Sequence, residues 1–223
     1  MSPLRRTALV AGVLYLLTFV SIPTLALYGP VRDPNYIVGP GPDTPVIFGG
    51  VLEIIVALAC IGTAVVLYPV VKRQNEGRIG LRRCAGLGSQ HDLPLLVSLL
   101  SVVTLRQAGV GADGLLAAQA LVAFHDWIFL LGQGFLPAVN ALLLGSLLYQ
   151  SRLVPQVPPV IGFIGAALLV VSVAATLFHL WGQLSAASAL LTLPIAVWEF
   201  SLGVYLIVKG FKPSPITAAM ATA

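Results

Sequence analysis

Seven polar side chains lie within or at the ends of apolar stretches of this sequence and could do chemistry there. They are Glu53, His125, Asp126, Gln133, Asn140, His179 and Glu199. An ionisable group within a membrane is costly and usually faces protein, water or a partner, so these residues are the candidate functional positions. Two deep carboxyls can bind and release protons in a carrier. Two histidines and an aspartate can hold a metal or haem, or can act as acid and base.

The spacing of these residues places them on shared helix faces. Asp126, Gln133 and Asn140 recur every seven residues, which keeps them along one slowly drifting face and predicts an interior seam. His179 belongs to a second polar face that begins at Ser172. The predicted depths place four of these side chains in the outer part of the membrane: Glu53, His125, Asp126 and His179. We therefore expect that they can converge on one cavity.

Each candidate also has a structural interpretation that the sequence leaves open. Asp126 near a helix start can interact with the positive end of the helix dipole, and His179 fits an interfacial position beside a tryptophan. The two amides can hold neighbouring helices together by hydrogen bonds. The two glutamates are the deepest ionisable groups, and a structural bond to a neighbouring helix is the alternative to a functional role for each.

Five long apolar stretches must position these residues, and a shorter sixth run lies between the second and the next long stretch. Each long stretch exceeds twenty residues, enough to cross a hydrocarbon core of about 30 Å. With 58% hydrophobic and 9% charged residues, the chain lacks the polar surface of a water-soluble domain. We predict an all-α, polytopic transmembrane helical bundle of six spans whose third span is short or disrupted. The predicted spans are about 7–28, 46–71, 88–105, 121–149, 158–181 and 184–208.

The distribution of positive charge predicts the orientation of the bundle. Six spans with cytoplasmic N and C termini leave only Arg32 and Arg106, of the twelve lysines and arginines, on the outer side. With five spans, Arg152 would face outward and the C-terminal lysines would lie opposite the N-terminal arginines. Aromatic residues such as Tyr28 fall at the predicted span ends, as interfacial anchors do. The chain is therefore predicted to be a multi-pass protein of the cell (inner) membrane.

The rest of the sequence predicts one bundle without a separate domain. Residues 1–212 form this bundle, residues 213–223 form a disordered tail, and the first span is expected to be retained as an anchor and not cleaved as a signal peptide. The net charge of +4 follows from the topology and indicates a lipid bilayer, not nucleic acid, as the partner. A second copy of the chain and another membrane protein are further candidate partners. No phosphate loop, nucleophile elbow, zinc pattern or disulfide framework occurs, so we predict no cofactor, no metal and no defined catalytic residue.

Several short motifs occur in order along most of the chain. They are GVLYLLTF at 12–19, LYPV at 67–70, LYQSRLVP at 148–155, Pro194 with Glu199, and KGF at 209–211. Together they resemble a family of small bacterial integral membrane proteins that is catalogued only as a domain of unknown function. The resemblance implies a six-helix inner-membrane protein with acidic positions at Glu53 and Glu199. It implies no established activity, cofactor or substrate.

The chain departs from this family between about Arg78 and Pro94. The family has an apolar start of the third helix there, with an arginine and a glutamate three residues apart, whereas this chain does not. A one-base frameshift would explain the difference, because an adjacent reading frame can restore both residues. A divergent but genuine loop is the alternative. If the frame has shifted, Cys84, His91 and Asp92 have no functional meaning.

Three classes of function are consistent with the sequence. A carrier of a small solute or proton would use the two glutamates as protonatable sites beside the amide seam. An intramembrane metal- or haem-binding protein, or a membrane-embedded enzyme, would use His125, Asp126 and His179. An accessory membrane protein would need its polar residues only to hold the bundle or a partner together. We predict a non-enzymatic function, either carrier or accessory, and keep the metal, haem or enzyme site as the alternative.

Overall fold

The computed structural model describes residues 1–72 and 80–214, and it describes side chains for residues 1–70 and 94–214. Within these ranges every regular element is helical, which confirms the all-α prediction. The α-helices are α1 (Pro3–Leu17), α2 (Ser21–Leu27), α3 (Asp43–Lys72), α4 (Gly80–Gln107), α5 (Leu115–Phe129), α6 (Leu136–Ser151), α7 (Val157–Leu177) and α8 (Ala186–Val208). The predicted tail beyond residue 214 lies outside the described residues.

Five helical units of the described chain are long and apolar enough to cross a membrane. They are Pro3–Leu27, Asp43–Val70, Gly111–Ser151, Val157–Leu177 and Ala186–Val208. The predicted third span falls within α4, whose backbone is continuous, but only its part from Pro94 to Gln107 is apolar. The proposed frameshift concerns residues 78–94, whose side chains before Pro94 lie outside the described part.

Two of the long units bend, and each bend lies beside a proline. A 3-10 segment, Thr18–Val20, joins α1 to α2 just before Pro23, and a π-helical segment, Leu130–Phe135, joins α5 to α6 just before Pro137. Proline has no backbone N–H, so it cannot donate to the carbonyl four residues earlier, and the preceding turn tightens or widens. Both units therefore change direction within the bundle.

The first and last helices meet closely at one end of the bundle. The Arg5 guanidinium donates to the carbonyl of Leu206 at 2.9 Å and also reaches the next two carbonyls of α8. A Cβ on Gly12 would lie 2.7 Å from the carbonyl oxygen of Gly203, so the two backbones touch. We call this end, which holds residues 3–12 and 203–208, the terminal end. A large apolar cluster from α1, α3, α6, α7 and α8 fills the bundle there and continues to its middle, with Trp198 among its most buried members.

The opposite end, which we call the distal end, contains a second core. The segment between α2 and α3 packs into it through Val31, Tyr36 and Ile37. Arg106 at the end of α4 forms an ion pair with Asp43 at the start of α3, and the Tyr36 hydroxyl donates to the same carboxylate at 2.6 Å. Burial, with Asp43 beside the hydroxyl, raises the pKa of Tyr36 to about 12, so this hydroxyl stays a donor. These contacts join α3, α4 and the loop that precedes α3.

Candidate functional site

Glu53 on α3 and His125 on α5 lie side by side in the interior of the distal half. Both helices pack against α4, which brings the two side chains together. His125 Nε2 is 3.7 Å from Glu53 Oε1, and each side chain is only 1% exposed. Within the described part of the chain, neither carboxylate oxygen of Glu53 nor His125 Nε2 has a hydrogen-bond partner. Because buried polar atoms are nearly always paired, this open pair is unusual.

From His125 the polar contacts continue toward the surface. His125 Nδ1 is 3.1 Å from Asp126 Oδ1, and Arg32 donates to that same oxygen at 3.0 Å. The side chains of Arg32 and Asp126 are 25% and 38% exposed. Glu53, His125, Asp126 and Arg32 thus form a continuous chain from the interior to the accessible surface, which we call the polar network.

Aromatic rings fix the orientation of the imidazole. The Tyr28 ring meets the His125 ring edge-on with centroids 5.3 Å apart, and the Phe129 ring stacks on it at 6.1 Å. A Cβ on Gly49 would lie 2.5 Å from the Tyr28 ring, so glycine is needed there for the ring to fit. The Tyr28 hydroxyl is buried and also has no hydrogen-bond partner among the described residues. The rings thus hold the imidazole in place beside the unpaired carboxylate of Glu53.

A cavity of about 800 Å³ begins one helical turn from the polar network. Val56 and Phe129 on its wall follow Glu53 and His125 by three and four residues, so they lie about 5 Å further along each helix. Its walls come mainly from α1, α2, α3, α6, α7, α8 and the π-helical segment, and most of its surface is apolar. The polar side chains on these walls are Tyr15, Thr18, Ser21, Cys60, Thr63, Gln133, Asn140, Ser172, Gln183, Ser185, Ser188, Thr192 and Glu199.

Glu199 is the one acidic side chain among the described residues that line this cavity. It lies near the middle of α8, and its carboxylate makes no hydrogen bond or ion pair within the described part of the chain. Nearby, Asn140 donates to the Tyr15 hydroxyl at 2.7 Å. The amide nitrogen of Gln133 is buried and has no hydrogen-bond partner in the described part of the chain. The cavity therefore offers one carboxylate and one unused amide donor to a ligand.

The cavity opens because the α1–α2 unit leaves α8. On the terminal side of the 3-10 segment α1 packs on α8, whereas on its distal side α2 packs on α3. Phe19 and Phe200 meet edge-on where the two units separate, with ring centroids 5.7 Å apart. Ile22 on α2 and Leu193 on α8 both line the cavity and are both largely exposed. The cavity is thus accessible in the distal half and closed by the apolar cluster toward the terminal end.

The structure brings some of the predicted site residues together and separates others. Glu53, His125 and Asp126 join in the polar network. The other predicted positions that face the cavity are Gln133, Asn140 and Glu199. His179 lies apart, because it follows the end of α7 with φ at 56°, is exposed, and contacts Trp127 edge-on.

The residues of the two sites that were not selected from the sequence include Arg32, Tyr28 and Tyr15. Arg32 had a signal, because it is one of only two cations predicted on the outer side. Tyr28 was interpreted only as an aromatic anchor at a span end, and Tyr15 had no distinguishing pattern within an apolar helix. Helix periodicity gives the face of one helix but not its neighbour, so these contacts could not be predicted.

The metal or haem alternative required His125, Asp126 and His179 to act together. The structure places the His179 ring against Trp127. Among the described residues, no group of three or more histidine, cysteine, aspartate or glutamate side chains could hold a metal ion. In the polar network the imidazole of His125 lies between the carboxyl groups of Glu53 and Asp126.

Five apolar helical units of membrane length, with ionisable groups enclosed between them, define a helical membrane protein. The chain belongs to the DUF4386 family, a domain of unknown function, whose family model matches residues 10–210. This match confirms the family resemblance that the motifs indicated. No curated protein and no solved structure matches the chain.

Proposed function

We propose that this protein is a six-span carrier of the cell membrane that binds a small amphipathic cation in the cavity. The observation that carries the proposal is the Glu199 carboxylate, which faces a largely apolar cavity and has no partner within the described chain. An ionisable group at this depth normally serves a substrate, a proton or a structural partner. Since no structural partner is present among the described residues, a ligand is the favoured occupant.

The position of the chain ends supports six crossings. Arg5 contacts residues 206–208, so α1 begins where α8 ends, and the number of crossings between them is even. The five apolar units of membrane length leave α4 as the further crossing. Its 28 residues correspond to about 42 Å of helix, enough for the hydrocarbon core.

The charged residues support cytoplasmic termini. Within the described side chains, the terminal end carries Arg5, Arg6, Arg152, Lys209 and Lys212. Only Arg32 and Arg106 lie toward the distal end, and both are paired with aspartates. The positive-inside rule then places the terminal end in the cytoplasm and the cavity opening on the outer side. The predicted cytoplasmic cations between residues 72 and 83 lie outside the described side chains.

The size and lining of the cavity favour an amphipathic cation. A volume of about 800 Å³ is within the range of about 300–1,000 Å³ that small-molecule sites occupy. The apolar walls bind a hydrocarbon or aromatic body, and the carboxylate of Glu199 pairs with one positive charge. Aromatic rings of Tyr15, Phe19 and Phe129 on the same walls can add cation–π contacts.

The bent helical units support a carrier over a static receptor. Both the 3-10 segment of the first unit and the π-helical segment of the fifth and sixth helices flank the cavity. Interrupted helices provide places where the backbone can change direction between two states. If α2 closed onto α8 at the distal end while α1 separated from α8 at the terminal end, the cavity would open toward the terminal end.

Ethidium, a fluorescent aromatic cation, is a suitable probe of ligand binding in purified protein reconstituted into lipid nanodiscs. We expect Glu199→Gln to weaken ethidium binding at least about tenfold, because the ligand charge loses its partner. Binding of the neutral dye Nile red should be unchanged. The matched control is Asp113→Asn, which removes an equally charged but exposed carboxylate. Equal ethidium affinity in wild type and Glu199→Gln would remove Glu199 from the site and overturn the proposal.

Transport and topology need separate measurements. Proteoliposomes should take up ethidium with wild-type protein and much less with Glu199→Gln; binding without uptake would leave a receptor and not a carrier.

For topology, both cysteines are replaced by serine and single cysteines are introduced by Asn35→Cys or Lys212→Cys. A membrane-impermeant maleimide should label the first in intact cells and the second only after permeabilisation. Labelling of both from the same side would contradict six spans.

A further inference from the structure

We propose that Glu53 and His125 form a binding site for one proton, which exchanges with the distal side through Asp126 and is displaced when a cation enters the cavity. The displacement rests on the proposed function, whereas the proton site itself does not. The site is separate from the cavity residue Glu199, so the two can be tested independently.

The first argument is the set of unpaired atoms. Both carboxylate oxygens of Glu53, Nε2 of His125 and the hydroxyl oxygen of Tyr28 are buried and find no hydrogen-bond partner among the residues that the structure describes. Glu53 and His125 face each other at 3.7 Å, and the Tyr28 ring lies against the imidazole. Buried polar atoms without partners require an explanation, and a cluster of them indicates that a hydrogen-bonding species belongs between them. If the two side chains approach each other slightly and share one proton, Glu53 and His125 form a hydrogen bond.

The second argument is the charge of the polar network. Arg32 and Asp126 cancel each other. Glu53 and His125 together are neutral when they share one proton, either as carboxylate with imidazolium or as carboxylic acid with neutral imidazole. Loss of this proton leaves one buried negative charge, and a second proton leaves one positive charge, and either is costly in an apolar interior. The Glu53–His125 pair therefore holds one proton as long as no further charge enters its surroundings.

The third argument is the direction of the imidazole. Nδ1 faces the Asp126 carboxylate, so this nitrogen keeps its hydrogen, and Nε2 faces Glu53. In the neutral ring Nε2 then accepts a hydrogen from the glutamic acid, and in the imidazolium it donates one to the glutamate. The proton can move between the two groups without any rotation of the ring. When the proton leaves, the imidazolium passes the hydrogen on Nδ1 to the Asp126 carboxylate, which is partly exposed and releases it to the surface, while Nε2 keeps its hydrogen toward the Glu53 carboxylate.

The surroundings contain few other groups that could titrate with this pair. Tyr28 and Arg32 face it from the segment after α2, and Asp126 faces it from α5. Helix α4 contributes only Arg106 among its described side chains, and that residue is paired with Asp43 at the distal end. A cation held at Glu199 brings positive charge into the cavity, which begins one turn from the pair, and this charge stabilises the negative form that the pair takes when it loses its proton. Cation binding would therefore favour release of the proton.

The proton site is tested without any ligand. The chain has three histidines, so nitrogen-15 NMR of histidine-labelled protein in nanodiscs can follow each imidazole, with His125→Gln to assign its signals. We expect the pH at which His125 changes its protonation to differ between wild type and Glu53→Gln by at least about one unit. Glu199→Gln should leave it unchanged. Identical His125 titrations in wild type and Glu53→Gln would overturn the proposal. Spectra that differ between sodium and choline buffers but do not change with pH would also overturn the proposal, in favour of a bound metal cation.

The displacement is tested by counting protons when ethidium binds in weakly buffered solution. Wild type should release about one proton per ethidium bound. Glu53→Gln should bind ethidium without release, and Asp113→Asn should behave as wild type. Ethidium binding without release from wild type would refute the displacement and leave the cavity function intact. Absence of ethidium binding would refute the cavity function, while the NMR result would still decide the proton site.

Discussion

At the terminal end α1 and α8 are in backbone contact at Gly12 and Gly203, whereas at the distal end α2 departs from α8 and a cavity of about 800 Å³ opens. The residues differ accordingly. Small and large apolar side chains interlock in the cluster that fills the terminal half, while carboxyl, imidazole and amide groups lie in or beside the distal opening. Dense packing supplies stability, and the incompletely paired polar groups leave room for ligands. The same bundle thus separates its structural and its candidate functional parts along its long axis.

The largest expected effect is the removal of Trp198 from the apolar cluster. This side chain is 0% exposed and lies against Gly162. Trp198→Ala should lower the free energy of unfolding by about 3–5 kcal/mol, because it leaves a large cavity in a packed region. Denaturant titration of the purified protein measures the change. Leu193→Ala, on the cavity wall and 57% exposed, is the control and should cost less than about 1 kcal/mol. Equal losses would show that the two regions are packed alike.

A single added methyl group tests the contact between α1 and α8. In Gly12→Ala the new Cβ would lie 2.7 Å from the Gly203 carbonyl and 2.8 Å from Ile207 Cγ1. The helices must separate, which should cost about 1–3 kcal/mol. Gly182→Ala, where nothing lies within 4 Å, should change stability by less than about 0.5 kcal/mol. A shift of the thermal unfolding midpoint in Gly12→Ala no larger than in Gly182→Ala would contradict the close approach.

The capping of α8 by Arg5 should have a smaller effect. Arg5→Gln removes a charged donor from the last carbonyls of α8, and we expect a loss of about 1 kcal/mol because the site is partly exposed. Arg6→Gln removes the same charge from an exposed neighbour and should change stability by less than about 0.5 kcal/mol. Hydrogen exchange of residues 206–208 locates the effect. If exchange there is the same in both variants, Arg5 does not cap the helix.

The smallest effect on stability is expected for a substitution that enlarges a side chain on the wall of the cavity. Ala189→Leu places three further carbons into the distal cavity, which has room for them, and should change the unfolding free energy by less than about 0.5 kcal/mol. Ethidium binding should nevertheless weaken, because the ligand space is reduced. A stability loss as large as that of Gly12→Ala would show that the distal wall is as tightly packed as the terminal end.

Local properties of the sequence determined the helical class, because runs of more than twenty apolar residues have no other stable form in lipid. The same properties indicated which side chains were worth following. Glu53, Asp126 and Glu199 were selected because ionisable groups in apolar helices are costly. The bends beside Pro23 and Pro137 follow from a missing N–H and are also local.

Only the tertiary structure decided which of these groups meet. His125 pairs with Glu53 and not with His179, because α3 and α5 both pack on α4 while His179 follows the end of α7. Glu199 faces a cavity because α2 leaves α8 above Thr18–Val20. A sequence records the face of each helix but not its neighbours, since packing depends on shapes brought together from distant parts of the chain. The chemistry that this protein can perform was therefore present in its residue types, and its assembly into sites was decided by helix packing.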